Sequence, residues 1–276
     1  MIQDIAPHVY HNEYRPEKPS GDSFAMVFNK GKLAVKVEAG EISFPTFQEL
    51  EEKNPFIYEE YTFLFSIDDM RFYLLDDIEM TDYQLYGRKE LRTANPQYLA
   101  FAGVTASQLY GWYKSHKYCG KCGKLMKHDE KERMVRCEEC GQMEYPKICP
   151  AVIVGVTNGN RLLLSKYAGR EHTRYALIAG FAEIGESIEE TVKREVMEEV
   201  GLKVKNITYY KSQPWSVTDT LLFGFYVEVD GSDEITLDEE ELALAEWFER
   251  EEIPVTEVSN SLTNEMILKF KYRGNL

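Results

Sequence analysis

Long apolar runs are missing from this sequence. The longest, around Ala151–Val156, falls far short of the roughly 18 residues a membrane-crossing helix needs, so a helical membrane protein is excluded. Basic residues are scarce: 32 Lys and Arg stand against 47 Asp and Glu, a formal net charge of −15 over 276 residues. Non-specific nucleic-acid binding requires a basic face, and this balance argues against it. An acidic chain can still bind anionic substrates, but only through metal ions or local cations. No secretory pattern opens the chain, since Met1–Tyr14 mixes Asp, His, Asn and Glu; a cytoplasmic location without a membrane is expected. Internal repeats and low-complexity linkers are lacking as well. What remains, 43% hydrophobic and 29% charged, is the composition of a soluble globular protein, with a length that suggests about two domains.

Cysteine is also sparse, yet four of the five are paired: Cys119-Gly-Lys-Cys122 and Cys137-Glu-Glu-Cys140, fourteen residues apart. Two C-x2-C groups in a long chain of this kind read as a zinc site, in preference to a disulfide or redox pair. Four thiolates close a tetrahedral shell, so one structural Zn2+ per chain is expected, serving the fold and not the chemistry. Gly120, Gly123 and Gly141 flank the ligands, where tight turns need backbone freedom. Cys149 has no partner in the pattern and reads as a packed or idle thiol.

From Ser23 to about Asp77 the sequence is β-like, with Phe24–Phe28, Lys32–Glu38, Tyr61–Ile67 and Arg71–Leu75 rich in β-branched and aromatic residues. Asp68-Asp69 suggests a hairpin turn. Pro96–Lys114 reads as a helix with Leu99, Val104, Leu109 and Trp112 in the core. After the cysteine segment, Ala151–Val156, Asn158-Gly159-Asn160 and Arg161–Ser165 form a second hairpin pattern. The expected domains are a β-rich region with a terminal helix at 1–114, a four-cysteine ribbon at 115–146 and a third domain at 147–276. The first carries no chemical motif.

The informative stretch, Gly180–Leu202, reads GFAEIGESIEETVKREVMEEVGL. Ser187-Ile188-Glu189-Glu190 is a capping box that starts a helix, and Gly201 stops it. Val192, Val196 and Val200 form an apolar stripe. Glu195, Glu198 and Glu199 stand at i, i+3 and i+4, so their carboxylates share a face beside that stripe. Neighbouring like charges repel, and a hard divalent cation offsets the repulsion; a solvated acidic face is the plainer alternative.

Gly180, Glu186, Arg194, Glu195, Val196, Glu198, Glu199, Gly201 and Leu202 match, without departure, the Nudix box G-x5-E-x7-R-E-U-x-E-E-x-G-U. The ribbon before it, Tyr145-Pro146-Lys147-Ile148 at the junction and Ser212-Gln213-Pro214-Trp215 after it resemble the NADH pyrophosphatase family from about Tyr113 to Trp247. The resemblance implies an α/β/α Nudix fold (α+β overall) with a zinc-ribbon insert. It implies hydrolysis of the diphosphate of NADH or NAD+ to AMP and nicotinamide mononucleotide, with NAD-capped RNA 5′ ends as a further substrate. It further implies Mg2+ or Mn2+ as catalytic metal and a homodimer. The alternative is the same chemistry on ADP-ribose or a dinucleoside polyphosphate.

By that likeness Glu195 and Glu199 are metal ligands, Glu198 is a ligand or general base, Arg194 orients them, and Ala179 offers a backbone carbonyl. Glu241, within Glu239-Glu240-Glu241, matches a distal metal-binding glutamate with a register open by one. Gln213, Pro214 and Trp215 match a substrate motif, and the Trp215 indole offers a flat face to a base or ribose, with core packing the alternative. Tyr145, Glu132 and Phe181 match substrate contacts, Phe181 against the nicotinamide. The chain departs from the family in Ser216-Val217-Thr218-Asp219-Thr220, where Pro-Phe-Pro-x-Ser is the pattern; Thr220 keeps the hydroxyl. Thr263, in Ser261-Leu262-Thr263, is bulkier than the family's Ala at a pocket-lining position. These departures bear on selectivity at the nicotinamide end.

Overall fold

In the computed structural model, residues 1–52, 54–76, 78, 80, 82–169, 174–256 and 259–273 are described, the side chains of 76 and 273 excepted. The expected end of the first β-rich stretch, Asp77, lies outside them. By contacts the chain forms two compact units: a first made of Ile2–Lys147 with Ser216–Asp219, and a second made of Met1, Ile148–Trp215 and Thr220–Leu276.

The first unit begins with β1 (Tyr10–His11), β2 (Phe24–Asn29), β3 (Lys32–Glu38), β4 (Glu41–Ser43), α1 (Phe47–Glu51), β5 (Thr62–Ile67), β6 (Met70–Asp76) and β7 (Gln84–Tyr86). Their sheet runs β1-β5-β6-β2-β3-β4, with β7 beside β3. Its hairpin turns at Asp68, a non-glycine residue at φ +50°, and the Asp68 carboxylate accepts the Val9 N–H at 2.8 Å. Two helices follow, α2 (Arg88–Leu91) and α3 (Gln97–Ser115). Leu99, Val104, Leu109 and Trp112 of α3 are buried in one apolar cluster with Phe28, Leu33 and Phe65 of the sheet. Alternate strand residues Ala25, Val27, Ala34 and Phe63 point the other way, into a cluster with Phe47 of α1, as period-two patterning requires.

The ribbon strands β8 (Lys127–His128), β9 (Val135–Arg136) and β10 (Met143–Glu144) make a small antiparallel sheet. Cys119, Met126, Val135 and Cys137 join the apolar cluster of α3. The ribbon therefore shares a core with the N-terminal region.

The second unit holds β11 (Cys149–Asn158), β12 (Arg161–Tyr167), β13 (Ile178–Phe181), α4 (Ile188–Val200), β14 (Val204–Trp215), β15 (Thr220–Val229), β16 (Leu242–Glu249) and α5 (Leu262–Arg273). Its sheet is ordered β14-β15-β11-β12-β16, with β13 paired to β11; the β11–β15 pairing is parallel, the others antiparallel. Val152, Val154 and Val156 face α4, where Val192, Val196 and Val200 are fully buried against them. Each such valine contributes roughly 1.5–3 kcal/mol of hydrophobic stabilisation. Ile153, Leu162 and Leu164 face the other way, against Leu262, Met266 and Phe270 of α5. The result is helix, sheet, helix, the α/β/α layering expected. No described helix is long and apolar enough to cross a membrane.

Candidate active site

Helix α4 is built as its sequence requires. The Ser187 hydroxyl accepts the Glu190 N–H and the Glu190 carboxylate accepts the Ser187 N–H, closing the capping box. At the other end Gly201 takes φ +69°, and the last carbonyls are not orphaned, since those of Glu199 and Val200 accept N–H groups of Asp238 and Thr236. With the valine stripe against the sheet, the three acids separate. Glu195 and Glu199 are 8% and 2% exposed, whereas the Glu198 carboxylate reaches solvent. Two of the trio are thus on the buried flank of the helix and one is on its rim.

Arg194 ties the site together. Its Nε and Nη2 donate to the two oxygens of Glu186 at 2.6 and 2.9 Å. Its Nη1 bridges Glu195 at 2.7 Å and Glu198 at 2.9 Å, and Nη2 also reaches the Phe181 carbonyl at 2.9 Å. Glu186 additionally accepts the Glu183 N–H and the Thr191 hydroxyl. The Arg194 hydrogen bonds, followed by the Glu183 amide, hold the Glu186 carboxyl down at about 2. Its contribution to stability is therefore present above the ordinary 4.5 and is lost only as pH falls towards 2. A planar fork makes these contacts and an ammonium cannot. Arg194→Lys is expected to slow turnover roughly 10–100-fold, as loss of a ligand-orienting group does, and to lower the melting temperature, since the Glu186 carboxylate loses its partner; steady-state rates and melting curves check it.

Glu199 is the unusual member. Both of its carboxylate oxygens are buried without a hydrogen-bond partner. Burial first, then the charges of Glu195 and Glu241, push its carboxyl up to about 8; the Ala179 backbone amide works in the other direction without reaching hydrogen-bond geometry. Burial also raises Glu195, against the pull of Arg194. An uncompensated buried carboxylate is costly, and a bound cation removes that cost. The donor set, carboxylates beside a backbone strand, suits a hard divalent ion. Among the described residues, these acids do not bring three ligand atoms within 4.8 Å of one another.

The β13 strand faces these acids. Gly180 pairs with Val152, and a Cβ there would overlap the Glu195 carboxyl. Gly180→Ala must displace Glu195, and is expected to lower turnover at least tenfold while leaving the core, and so the melting curve, nearly unchanged. Ala179 precedes it in β13, opposite Ile153. Phe181 follows, its side chain 52% exposed. Glu241 is exposed, and near enough that its charge raises both Glu195 and Glu199.

The other expected contacts differ in kind. Gln213 is 0% exposed, and its amide is spent inside the protein. Nε2 donates to the Asn260 carbonyl at 2.9 Å and Oε1 accepts the Leu262 N–H at 2.7 Å, at the start of α5. These bonds tie β14 to α5. Pro214 is exposed and Trp215 half-buried at the end of the edge strand β14, where a proline costs no interior ladder bond. Thr220, paired with Trp215, is buried. Thr263 lines a cavity of about 390 Å³ with Arg174, Tyr175, Ser261 and Asn264. In the first unit, the Tyr145 hydroxyl donates to Glu132 at 2.6 Å, with Tyr145 53% exposed and not packed.

The four cysteines converge. Cys119 and Cys140 sulfurs lie 3.5 Å apart, Cys122 and Cys137 3.4 Å, and all four within 4.8 Å of one another. A disulfide would need about 2.05 Å, while a tetrahedral zinc shell with 2.3 Å bonds has edges of roughly 3.8 Å. The set fits structural zinc. The two turns repeat each other: Gly123 N–H donates to the Cys119 carbonyl and Gly141 N–H to that of Cys137, both glycines at φ +73°. Gly120 does not share this need, having no positive φ and no crowding around a Cβ.

Residues 147–267 match the NUDIX domain, in keeping with this layering and this helix. Residues 114–145 match the NADH pyrophosphatase zinc ribbon domain. The chain is 38% identical over 169 residues to the NAD-capped RNA hydrolase NudC of Photorhabdus laumondii subsp. laumondii, covering 61% of this chain and 64% of that one. It is 44% identical over 154 residues to the NAD-capped RNA hydrolase NudC of Mannheimia succiniciproducens, covering 52% and 57%. It thus spans less than two thirds of the length of these curated relatives. Among solved structures, a NUDIX hydrolase from Nitrosomonas europaea is 21% identical with a TM-score of 0.48, covering 57% of this chain and 92% of that one.

Proposed function

We propose that this protein is a divalent-metal-dependent hydrolase of the NADH and NAD+ diphosphate, releasing AMP and nicotinamide mononucleotide, and that it also removes NAD caps from RNA. The observation that carries this reading is the buried, partnerless carboxylate of Glu199 beside Glu195, in a complete Nudix box that follows a ribbon of the NADH pyrophosphatase type. Mg2+ or Mn2+ supplies Lewis-acid charge for the diphosphate oxygens and for an attacking water. Glu195, Glu199 and the Ala179 carbonyl would hold the cation, and Glu241 would add a distal carboxylate. Glu198, on the solvent rim and oriented by Arg194, accepts the proton from water. Phe181 and Trp215 offer flat faces to the substrate's rings. Tyr145 and Glu132 are further candidate contacts, which Tyr145→Phe probes. A homodimer and a cytoplasmic location follow from the family resemblance; light scattering checks the first.

The turn after Trp215, which lacks the family's aromatic and prolines, favours a second reading in which ADP-ribose or a dinucleoside polyphosphate is cleaved by the same acids. AMP release from NADH, ADP-ribose and diadenosine polyphosphates, each with Mg2+ and Mn2+, separates the two. NADH is expected to have the highest kcat/KM; parity among the three would reject the first reading.

A further inference from the structure

The turn of residues 216–219 joins β14 to β15 immediately after Trp215 and before Thr220, the last pair of that hairpin. Nothing in its own sequence stiffens it: it has no proline, and Asp219 stands at φ +55°, where a non-glycine residue is uncommon. Yet the turn is gripped from outside. Within the first unit, Arg88 Nη1 donates to the Ser216 carbonyl at 2.6 Å and to the Asp219 carboxylate at 3.0 Å, with the Val217 carbonyl at 3.4 Å. Nη2 of the same guanidinium donates to the Ser107 carbonyl of α3 at 3.0 Å.

The seat for this guanidinium is prepared. A Cβ at Gly111 would lie 2.9 Å from Nη2, so a side chain one turn beyond Ser107 would require this guanidinium to shift; glycine leaves it room, at a cost to the helix of about 1 kcal/mol relative to alanine. The arginine is itself mostly shielded, at 25% side-chain exposure, so its bonds to carbonyls and carboxylate are not fully screened by water. One fork thus ties a helix carbonyl to both ends of a four-residue turn.

We infer that Arg88 is a positioning residue for substrate: it fixes the 216–219 turn and thereby sets Trp215 and Thr220, so that affinity for the dinucleotide, and not the hydrolytic step, depends on it. This inference rests on the proposed function. Arg88 touches none of the Nudix acids in the structure. Its removal raises the ordering cost of binding, because a turn that is mobile in the free protein must be immobilised in the complex.

The test uses the full-length zinc-loaded protein and three variants, Arg88→Ala, Arg88→Lys and Asp219→Gly. The last removes the one side-chain acceptor that the turn offers Arg88, tolerates φ > 0 and leaves α2 and α3 intact. Two quantities are read: amide hydrogen exchange in peptides spanning 213–222, and steady-state NADH hydrolysis with Mg2+. Arg88→Ala and Arg88→Lys are expected to speed exchange in those peptides and to raise KM about tenfold with kcat within twofold. Lysine fails because an ammonium, a single nitrogen, cannot reproduce a fork whose two nitrogens reach the Ser107 carbonyl on one side and the Ser216, Val217 and Asp219 oxygens on the other. Asp219→Gly is expected to shift both in the same direction by a smaller factor. Unchanged exchange and KM in Arg88→Ala and Asp219→Gly would overturn the inference, as would a fall in kcat at constant KM. Absence of NADH hydrolysis by the wild-type chain would count against the proposed function alone, and the clamp would then be judged by exchange, which needs no substrate.

Discussion

Glu199→Gln is expected to lower Mg2+-dependent NADH hydrolysis at least about a thousandfold, on the order of 4 kcal/mol in the barrier, and to leave the fold intact. The second half is the more discriminating. In the wild-type protein without added Mg2+ or Mn2+, the Glu199 carboxyl is pushed up from 4.5 to about 8, by burial first and then by Glu195 and Glu241. Between those values the folded state holds a proton that the unfolded chain has released. Stability therefore declines as pH rises from 4.5 through about 8, and is regained as pH falls. Glutamine has the same shape and no charge to bury. Melting measured from pH 5 to 8 should slope downward for the wild type and less so for Glu199→Gln, which at pH 8 should melt no lower than wild type. Added Mg2+ should raise the wild type more than the variant. Undiminished hydrolysis in the variant would remove Glu199 from the chemistry.

Cys119→Ser should do the opposite, damaging structure before chemistry. Three thiolates hold zinc poorly, and the binding free energy of a structural zinc is folding free energy. Cys119 and Cys137 are buried in the cluster that contains Leu99, Leu109, Trp112 and Tyr113 of α3, so loss of the metal loosens the N-terminal core together with the ribbon. Loss of a structural metal belongs among the few changes worth more than about 4 kcal/mol, roughly 10 °C or more in melting temperature for a unit of this size. Zinc content should fall from one per chain towards none. Equal melting losses in Cys119→Ser and Glu199→Gln would contradict the separation of structural and catalytic metal sites.

Much of the site was legible because its signals are local. The Ser187–Glu190 box, the stripe of Val192, Val196 and Val200, Gly201 and the paired cysteines each fix a conformation within a few residues, and all are observed. Strands β2, β3, β5 and β6 and helix α3 were equally readable from β-branched content and period. The division of the acids into buried Glu195 and Glu199 and exposed Glu198 was not readable. It depends on which side of the valine stripe meets the sheet, a tertiary fact. The engagement of the Gln213 amide was unreadable for a related reason: its partners are Asn260 and Leu262, nearly fifty residues away, and nothing local marks that. Helix α1 did carry a signal, since Thr46 and Glu49 form a capping box; it went unread because the helix is only five residues long. Arg88 carries none. Its role depends on a turn far along the chain and on a glycine in another helix.

The most direct measurement is anomalous diffraction from crystals of the full-length protein grown with Mn2+ and a non-hydrolysable dinucleotide. A manganese peak is expected at Glu199, with Glu195 in the same coordination group. Glu199 still buried and partnerless under saturating Mn2+, with the metal bound elsewhere, would contradict the central claim that these carboxylates bring a cation to the diphosphate.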